Sequence, residues 1–173
     1  MTTKEFFEEY NKAQDKAKCA ERHIVKKYLP YSQKLDMAER IINVSMYSTA
    51  SGTKAFKPDT PVRYFLFVMA VIETYTDIKF SEYSDGSAAQ GQANLDSFDL
   101  FESTGATEVF MKAIGADIER LNAVLKMKVD DVTDMERSLV PFLDTKIQAF
   151  AMGNNALLEA MREMQEKVEI DAE

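Results

Sequence analysis

Apolar residues recur at three and four along most of this chain, the spacing that gathers them on one face of an α-helix. The strongest such stretch runs from Thr60 to Ile78, TPVRYFLFVMAVIETYTDI. Thr60 suits the N-cap, and Pro61 suits the first helical position, where its missing N–H costs nothing. Drawn as a helix, Phe67, Ile78, Val71, Tyr64, Tyr75, Val68, Ile72, Phe65 and Met69 share one arc of about 200°. Leu66 and Ala70 lie on the other side, among Arg63, Glu73, Thr74 and Asp77. An apolar arc that wide needs cover from more than one direction, so the pattern predicts a buried central helix (about 61–78). Each large side chain buried there contributes roughly 1.5–3 kcal/mol. A membrane span fails on length, because the uncharged run from Tyr64 to Ile72 is about half of the ~20 residues a bilayer requires.

The other elements follow from the same spacing. Thr2 or Thr3 can cap a first helix with Glu5 in its first turn, and Phe6, Phe7, Tyr10, Ala13 and Ala17 then face inward. Ile24, Val25, Tyr28 and Leu29 fit either a continued helix or an extended piece, and Pro30 disfavours helix at Leu29. A second helix is expected from Ser32 to Tyr47, burying Leu35, Ala38, Ile41, Ile42, Ser45 and Met46, with Lys34, Asp36, Glu39 and Arg40 in water. STASGTKAFKPD reads as a loop with room for a short edge strand near 54–57. A polar loop is expected over 80–93, long enough to be functional. Asn94 then caps a short helix with Leu95, Phe98 and Phe101 inward, stopped by Gly105, and ATEVFMKAIG makes another that ends at Gly115.

From Asp117, Ile118, Leu121, Val124, Leu125 and Val129 mark an amphipathic helix, with a turn expected in VDDVTDMER. Ser138 to Met152 reads as a further helix that buries Leu139, Phe142, Leu143, Ile147 and Phe150. Pro141 fits it only in the first turn. Gly153-Asn154-Asn155 should end it, before a last helix carrying Leu157, Leu158, Met161, Met164 and Val168 inward. The acidic tail over 169–173 is expected to fray.

Composition narrows this to a fold class. The chain has 173 residues but only six Gly and four Pro, which favours long helices over a sheet of many hairpins. The expectation is one all-α domain over 1–173, a multi-helix bundle around the central helix. With a single cysteine, Cys19, no internal disulfide can form, which fits a reducing compartment. MTTKEFFEEY shows no apolar signal region, so the expected location is a cell's cytoplasm or a particle assembled there. The net charge of −8 argues against general nucleic-acid binding, but charge is segregated. Seven basic and two acidic residues lie between Lys12 and Lys34, and the rest of the chain sums to −13. Lys26, Lys27, Tyr28 and Tyr31 in that basic stretch are candidate partner-binding residues. Tyr83, Asp85 and Gln90 in the polar loop are the others.

Chemical motifs are sparse. Cys19 and His23 are four apart, hence on one helix face, and form half of a conceivable zinc site, but the chain has no second cysteine or histidine to complete it. Asp130, Asp131, Asp134 and Glu136 lack the glycine and alternate-position ligands of a calcium loop, and helix-end charge explains them. Glu73 and Asp77, one turn apart, suit an ion-pair network with Arg63 or a carboxylate pair for acid–base work. No phosphate-binding loop, nucleophile elbow or zinc motif occurs. No cofactor, metal or catalytic residue is therefore expected. Met152, Met161 and Met164 suit either packing or an adaptable partner surface.

Four phrases carry a family resemblance: KKYLPYSQKLDMAERII (Lys26 to Ile42), TPVRYFLFVMAVIETYTDI, LDSFDLFESTG (Leu95 to Gly105) and LNAVLKMKVDD (Leu121 to Asp131). The chain resembles small acidic helical proteins from the virion structural and assembly region of bacteriophages of Gram-positive bacteria. That resemblance implies a non-enzymatic role by protein–protein contact, as a neck or tail component or a tail-assembly chaperone. Its partners would be other phage or host proteins, including further copies of itself, with no direct nucleic-acid or membrane contact. One alternative is an inhibitor of a host defence nuclease whose acidic surface imitates phosphates. Another is a small enzyme built on Glu73 and Asp77, which requires a pocket around Glu73.

Overall fold

The computed structural model describes residues 1–50, 53–80 and 88–170. Among them the chain is all-α, with seven helices and one two-stranded antiparallel hairpin. Its contacts fall into two compact units, Met1–Val129 and Asp130–Glu173.

In the first unit, α1 (Thr3–Lys12) opens with a capping box in which the Thr2 side chain accepts from Glu5 N–H and Glu5 reaches back to Thr2 N–H. The helix stops at Lys12, and Asp15 caps a separate α2 (Lys16–His23). Ala17, expected inward on one continuous helix, is thereby turned into solvent. The undecided stretch after His23 is extended: Ile24 bridges Thr76, and the N–H groups of Val25 and Lys26 donate to the Tyr75 carbonyl. α3 (Tyr31–Ser45) buries Ala38, Ile41, Ile42 and Ser45 as its spacing predicts. The expected edge strand is there with a partner, β1 (Tyr47–Ala50) against β2 (Thr53–Phe56), Tyr47 facing Phe56.

The central stretch forms α4 (Thr60–Tyr75), and its cap is not Thr60 but Asp59, whose side chain accepts from Val62 N–H. Only Val68, Val71, Ile72 and Tyr75 of its wide apolar arc are buried within the helix. Tyr64 is exposed and Phe65, Phe67 and Met69 are half-buried, because cover comes chiefly from one side. Ile78 is buried but lies beyond the helix end.

α5 (Ala88–Ser103) begins six residues before the expected Asn94 cap, so the second part of the predicted loop is helical. Its Ala and Gln residues are good helix formers, which outweighs one interior glycine at about 1 kcal/mol. Leu95, expected inward, is exposed. Gly105 and Gly115 bracket α6 (Ala106–Ile114) at φ 69° and 74°, left-handed values that L side chains rarely adopt. Both stops therefore fall where the sequence places them.

The largest departure is α7 (Ala116–Ile170), 55 residues in one helix. It runs through the expected turn at VDDVTDMER, through Pro141 and through Gly153-Asn154-Asn155. Pro141 costs about 3 kcal/mol and Gly153 about 1 kcal/mol, local terms that the hydrogen-bond ladder of so long a helix absorbs. The side chains of Met152, Leu157, Leu158, Met161, Met164 and Val168 lie outside the described residues, as do residues 171–173.

Two clusters fill the first unit. One packs Phe6, Phe7 and Tyr10 of α1 with Val68, Ile72, Phe80, Phe101 and Phe110, and Phe101 stacks on Phe6 and on Phe80 at 5.8 and 5.2 Å between centroids. The other gathers Leu29, Val71, Tyr75, Ile114, Ile118 and Leu121 around a buried ion pair. Lys34, expected in water, is 3% exposed. Its Nζ donates to Asp117 Oδ1 at 2.7 Å and to the Leu29 carbonyl at 2.6 Å. Asp117 Oδ2 accepts from Tyr75 O–H at 2.7 Å and from Leu29 N–H at 2.9 Å. Burial alone would raise the Asp117 pKa; the hydrogen bonds from Lys34, Tyr75 and Leu29 outweigh it and hold the carboxyl below its ordinary value.

Phe101→Ala should cost about 3–5 kcal/mol in a urea titration, and half-buried Phe65→Ala less than half of that. Lys34→Met, which strands the buried Asp117 carboxylate, should cost about 3–5 kcal/mol. The folded pKa of Asp117 is depressed, so its contribution is complete above the ordinary Asp value of about 3.9 and is lost as pH falls through the lower folded value. Unfolding midpoints measured across the acid range should fall more steeply for the wild type than for Asp117→Asn.

Candidate functional site

Three places in the described residues bear on function. The first is the second unit's stretch of α7. Leu139, Phe142, Leu143, Ile147 and Phe150, expected to be core, are exposed, from 44% at Leu139 to 72% at Phe150, and Met135 and Val140 are exposed with them. These seven residues fall within about 160° of helix arc, so they form one continuous apolar face. Lys146 lies within that face, its Nζ 5.5 Å from the Phe142 ring centre, and half-buried Glu136 also falls on it. The periodicity was legible in the sequence; the exposure of these side chains was not.

The second place lies where α1, α2 and the segment after α4 meet. Cys19 and His23 share one face of α2, as their spacing implies, and α1 sets Glu9 beside both. One ligand atom from each of the three lies within 4.8 Å of the others. Cys19 Sγ is 3.8 Å from Glu9 Oε1, and His23 Nε2 is 3.4 Å from Glu9 Oε2. His23 Nδ1 is 3.1 Å from Asp77 Oδ1, and the Phe6 ring meets the imidazole edge-on at 5.4 Å. Arg22 reaches Glu9 Oε1 at 2.6 Å from the solvent side. Burial, and after it the Glu9 carboxylate, push the Cys19 thiol above its ordinary pKa. Glu9 escaped the sequence reading because nothing in one helix marks which side chain of the next will face it.

The third is an open groove of about 440 Å³ between α3 and α4, with Met37, Ile41, Leu66 and Met69 as apolar wall and Asp36, Arg40 and Glu73 as polar groups. A pocket beside Glu73 was the requirement of the enzyme reading, and Glu73 does line one. The two carboxylates nevertheless part company: Glu73 accepts from Phe80 N–H at 3.4 Å, whereas Asp77 turns to His23. Arg63 bonds Thr60 Oγ1 at 3.2 Å and not Glu73, so the anticipated network is not formed.

Of the candidate partner-binding residues, Lys26, Lys27, Tyr28 and Tyr31 are exposed together on the link into α3, and the Tyr28 ring lies 4.4 Å from Lys34 Nζ. Tyr83 and Asp85 lie outside the described residues, as does the side chain of Gln90. Asp130, Asp131 and Asp134 are exposed along α7 rather than at a helix end. No helix among the described residues is long and apolar enough to cross a membrane. No protein-family model, characterised protein or solved structure matches the chain.

Alkylation of Cys19 at neutral pH should be at least 10-fold slower in the native protein than in denaturant, since both burial and a raised pKa withhold the thiolate. Equal rates would show the thiol to be open.

Proposed function

We propose that this chain works by protein–protein contact and not by catalysis, that a second copy of the chain is the partner of the exposed α7 face, and that the setting is bacteriophage virion assembly. The observation that carries the contact reading is the apolar face from Met135 to Phe150. Its seven large side chains offer on the order of 700 Å², close to the roughly 800 Å² per partner that a stable interface buries. The setting rests on the resemblance of the four phrases to phage assembly proteins.

A second copy suits this face because the face complements itself. With two α7 helices antiparallel and the two-fold axis at Pro141, Met135 lies opposite Ile147, Leu139 opposite Leu143, Val140 opposite Phe142 and half-buried Val132 opposite Phe150. The same register sets Glu136 against Lys146, the two charges that fall on the apolar face. Parallel in-register pairing would instead set Glu136 against Glu136 and Lys146 against Lys146 on the same face, where like charges oppose.

Sedimentation equilibrium should show a dimer for the wild type. Phe142→Glu or Ile147→Glu should give a monomer with unchanged far-UV dichroism. Glu136→Lys and Lys146→Glu should each weaken the dimer at least several-fold, and the double exchange should restore it. A wild-type monomer at high micromolar concentration, or a dimer indifferent to Phe142→Glu, would overturn self-pairing. Co-purification of the chain with phage particles or their precursors tests the setting, and its absence from both would remove it.

A further inference from the structure

We propose that Glu9, Cys19 and His23 form a binding site for a zinc-type divalent transition-metal ion, with Asp77 as the outer carboxylate that orients His23. This is independent of the α7 interface and lies wholly within the first unit.

One buried atom at this site is unsatisfied. His23 is 8% exposed, and its Nε2 is buried without a hydrogen-bond partner. The Glu9 oxygen at 3.4 Å is at ion-pair range but does not meet hydrogen-bond geometry. A buried ring nitrogen left so is costly, because its lost hydration is not repaid. A cation at the centre of the three donors would satisfy it.

The donor spacing fits such a cation. Bonds of about 2.0 Å to nitrogen and oxygen and 2.3 Å to sulfur, arranged tetrahedrally, give edges of roughly 3.3–3.5 Å. The His23 Nε2–Glu9 Oε2 separation of 3.4 Å is such an edge, and Cys19 Sγ lies 3.8 Å from the other Glu9 oxygen, Oε1. One donor atom from each of the three lies within 4.8 Å of the others, so a small side-chain shift closes them on one ion. Cysteine and histidine four apart on one helix supply two donors from a rigid frame, and α1 supplies the third.

The surroundings fit as well. Asp77 on Nδ1 sets the tautomer whose Nε2 lone pair points at the cluster, the arrangement in which a carboxylate backs a metal-binding histidine. The Phe6 ring holds the imidazole plane. A thiolate, a carboxylate and a neutral imidazole together neutralise a divalent ion, so the partly buried site would carry no net charge. Arg22 is ion-paired to Glu9, and its exposed side chain can swing into water when a metal takes that oxygen. A hollow lined by Ala13, Gln14, Lys18, Cys19 and Arg22 lies on the Cys19 side of the cluster, and water would be the fourth ligand of a tetrahedral ion held by three side chains. Mixed sulfur, nitrogen and oxygen donors select zinc or cobalt over magnesium and calcium.

Cobalt(II) titration of the chelator-washed full chain is the direct test. One equivalent should bring up a thiolate-to-cobalt charge-transfer band with intense visible bands of tetrahedral type. Zinc should displace the cobalt and raise the thermal midpoint; excess magnesium should do neither. Cys19→Ser should abolish the charge-transfer band, Glu9→Gln should weaken cobalt binding at least 10-fold, and Asp77→Asn by roughly 10–100-fold. Because Cys19 and His23 are buried, Glu9→Gln, at a side chain 36% exposed, is the deciding variant if theirs misfold. No cobalt band, or a cobalt affinity unchanged in Glu9→Gln, would overturn the site.

Discussion

Much of the first unit hangs on one buried carboxylate. Asp117, in the first turn of α7, takes the Lys34 ammonium from α3, the Tyr75 hydroxyl from α4 and the Leu29 N–H from the link before α3. A charge in that position is stable only when its lone pairs are occupied, because desolvation costs several kcal/mol per ion. All three partners must therefore arrive together. That condition sets where α7 begins against α3 and α4, and it places Ile118 and Leu121 on Val71 and Tyr75. An apolar contact in the same place would tolerate sliding by a turn; a carboxylate with three donors does not.

The rest of the first unit is arranged around that junction. The aromatic cluster of Phe6, Phe7, Phe101 and Phe110 draws α1, α5 and α6 onto one side of α4, leaving the other side of α4 to form the open groove with α3. Seating α1 against α2 is also what brings Glu9 to Cys19 and His23. The candidate metal site is thus a consequence of core packing: Phe6 is both a core residue and one wall of the imidazole's slot.

The exposed part of α7 obeys a different rule. In the first unit, the apolar faces of α1, α3 and α6 find cover within the chain. From Met135 to Phe150 the apolar face is just as well marked and lies in solvent. Contiguous apolar surface of this size costs free energy in water unless something covers it. A self-complementary register, with one opposite-charge pair on the apolar line, makes a second copy the simplest cover.

The sequence by itself determined the all-α class, the amphipathic helices, the N-terminal cap near Thr2 with Glu5 in the first turn, and the helix stops at Gly105 and Gly115. These follow from terms that act over a turn or two: periodicity, capping and the left-handed freedom of glycine. It overread VDDVTDMER as a turn, Pro141 as the mark of a new helix start and Gly153 as a break, because a local cost of about 1–3 kcal/mol does not outweigh a long ladder of helical hydrogen bonds. Only the tertiary structure decided that Lys34 is buried, that Glu9 joins Cys19 and His23, that Asp77 abandons Glu73, and that the large apolar side chains from Met135 to Phe150 are exposed. The partners in those cases lie up to 83 residues apart. A hydrophobic or charged pattern states what a face requires, but which distant segment meets the requirement depends on how all the helices pack at once.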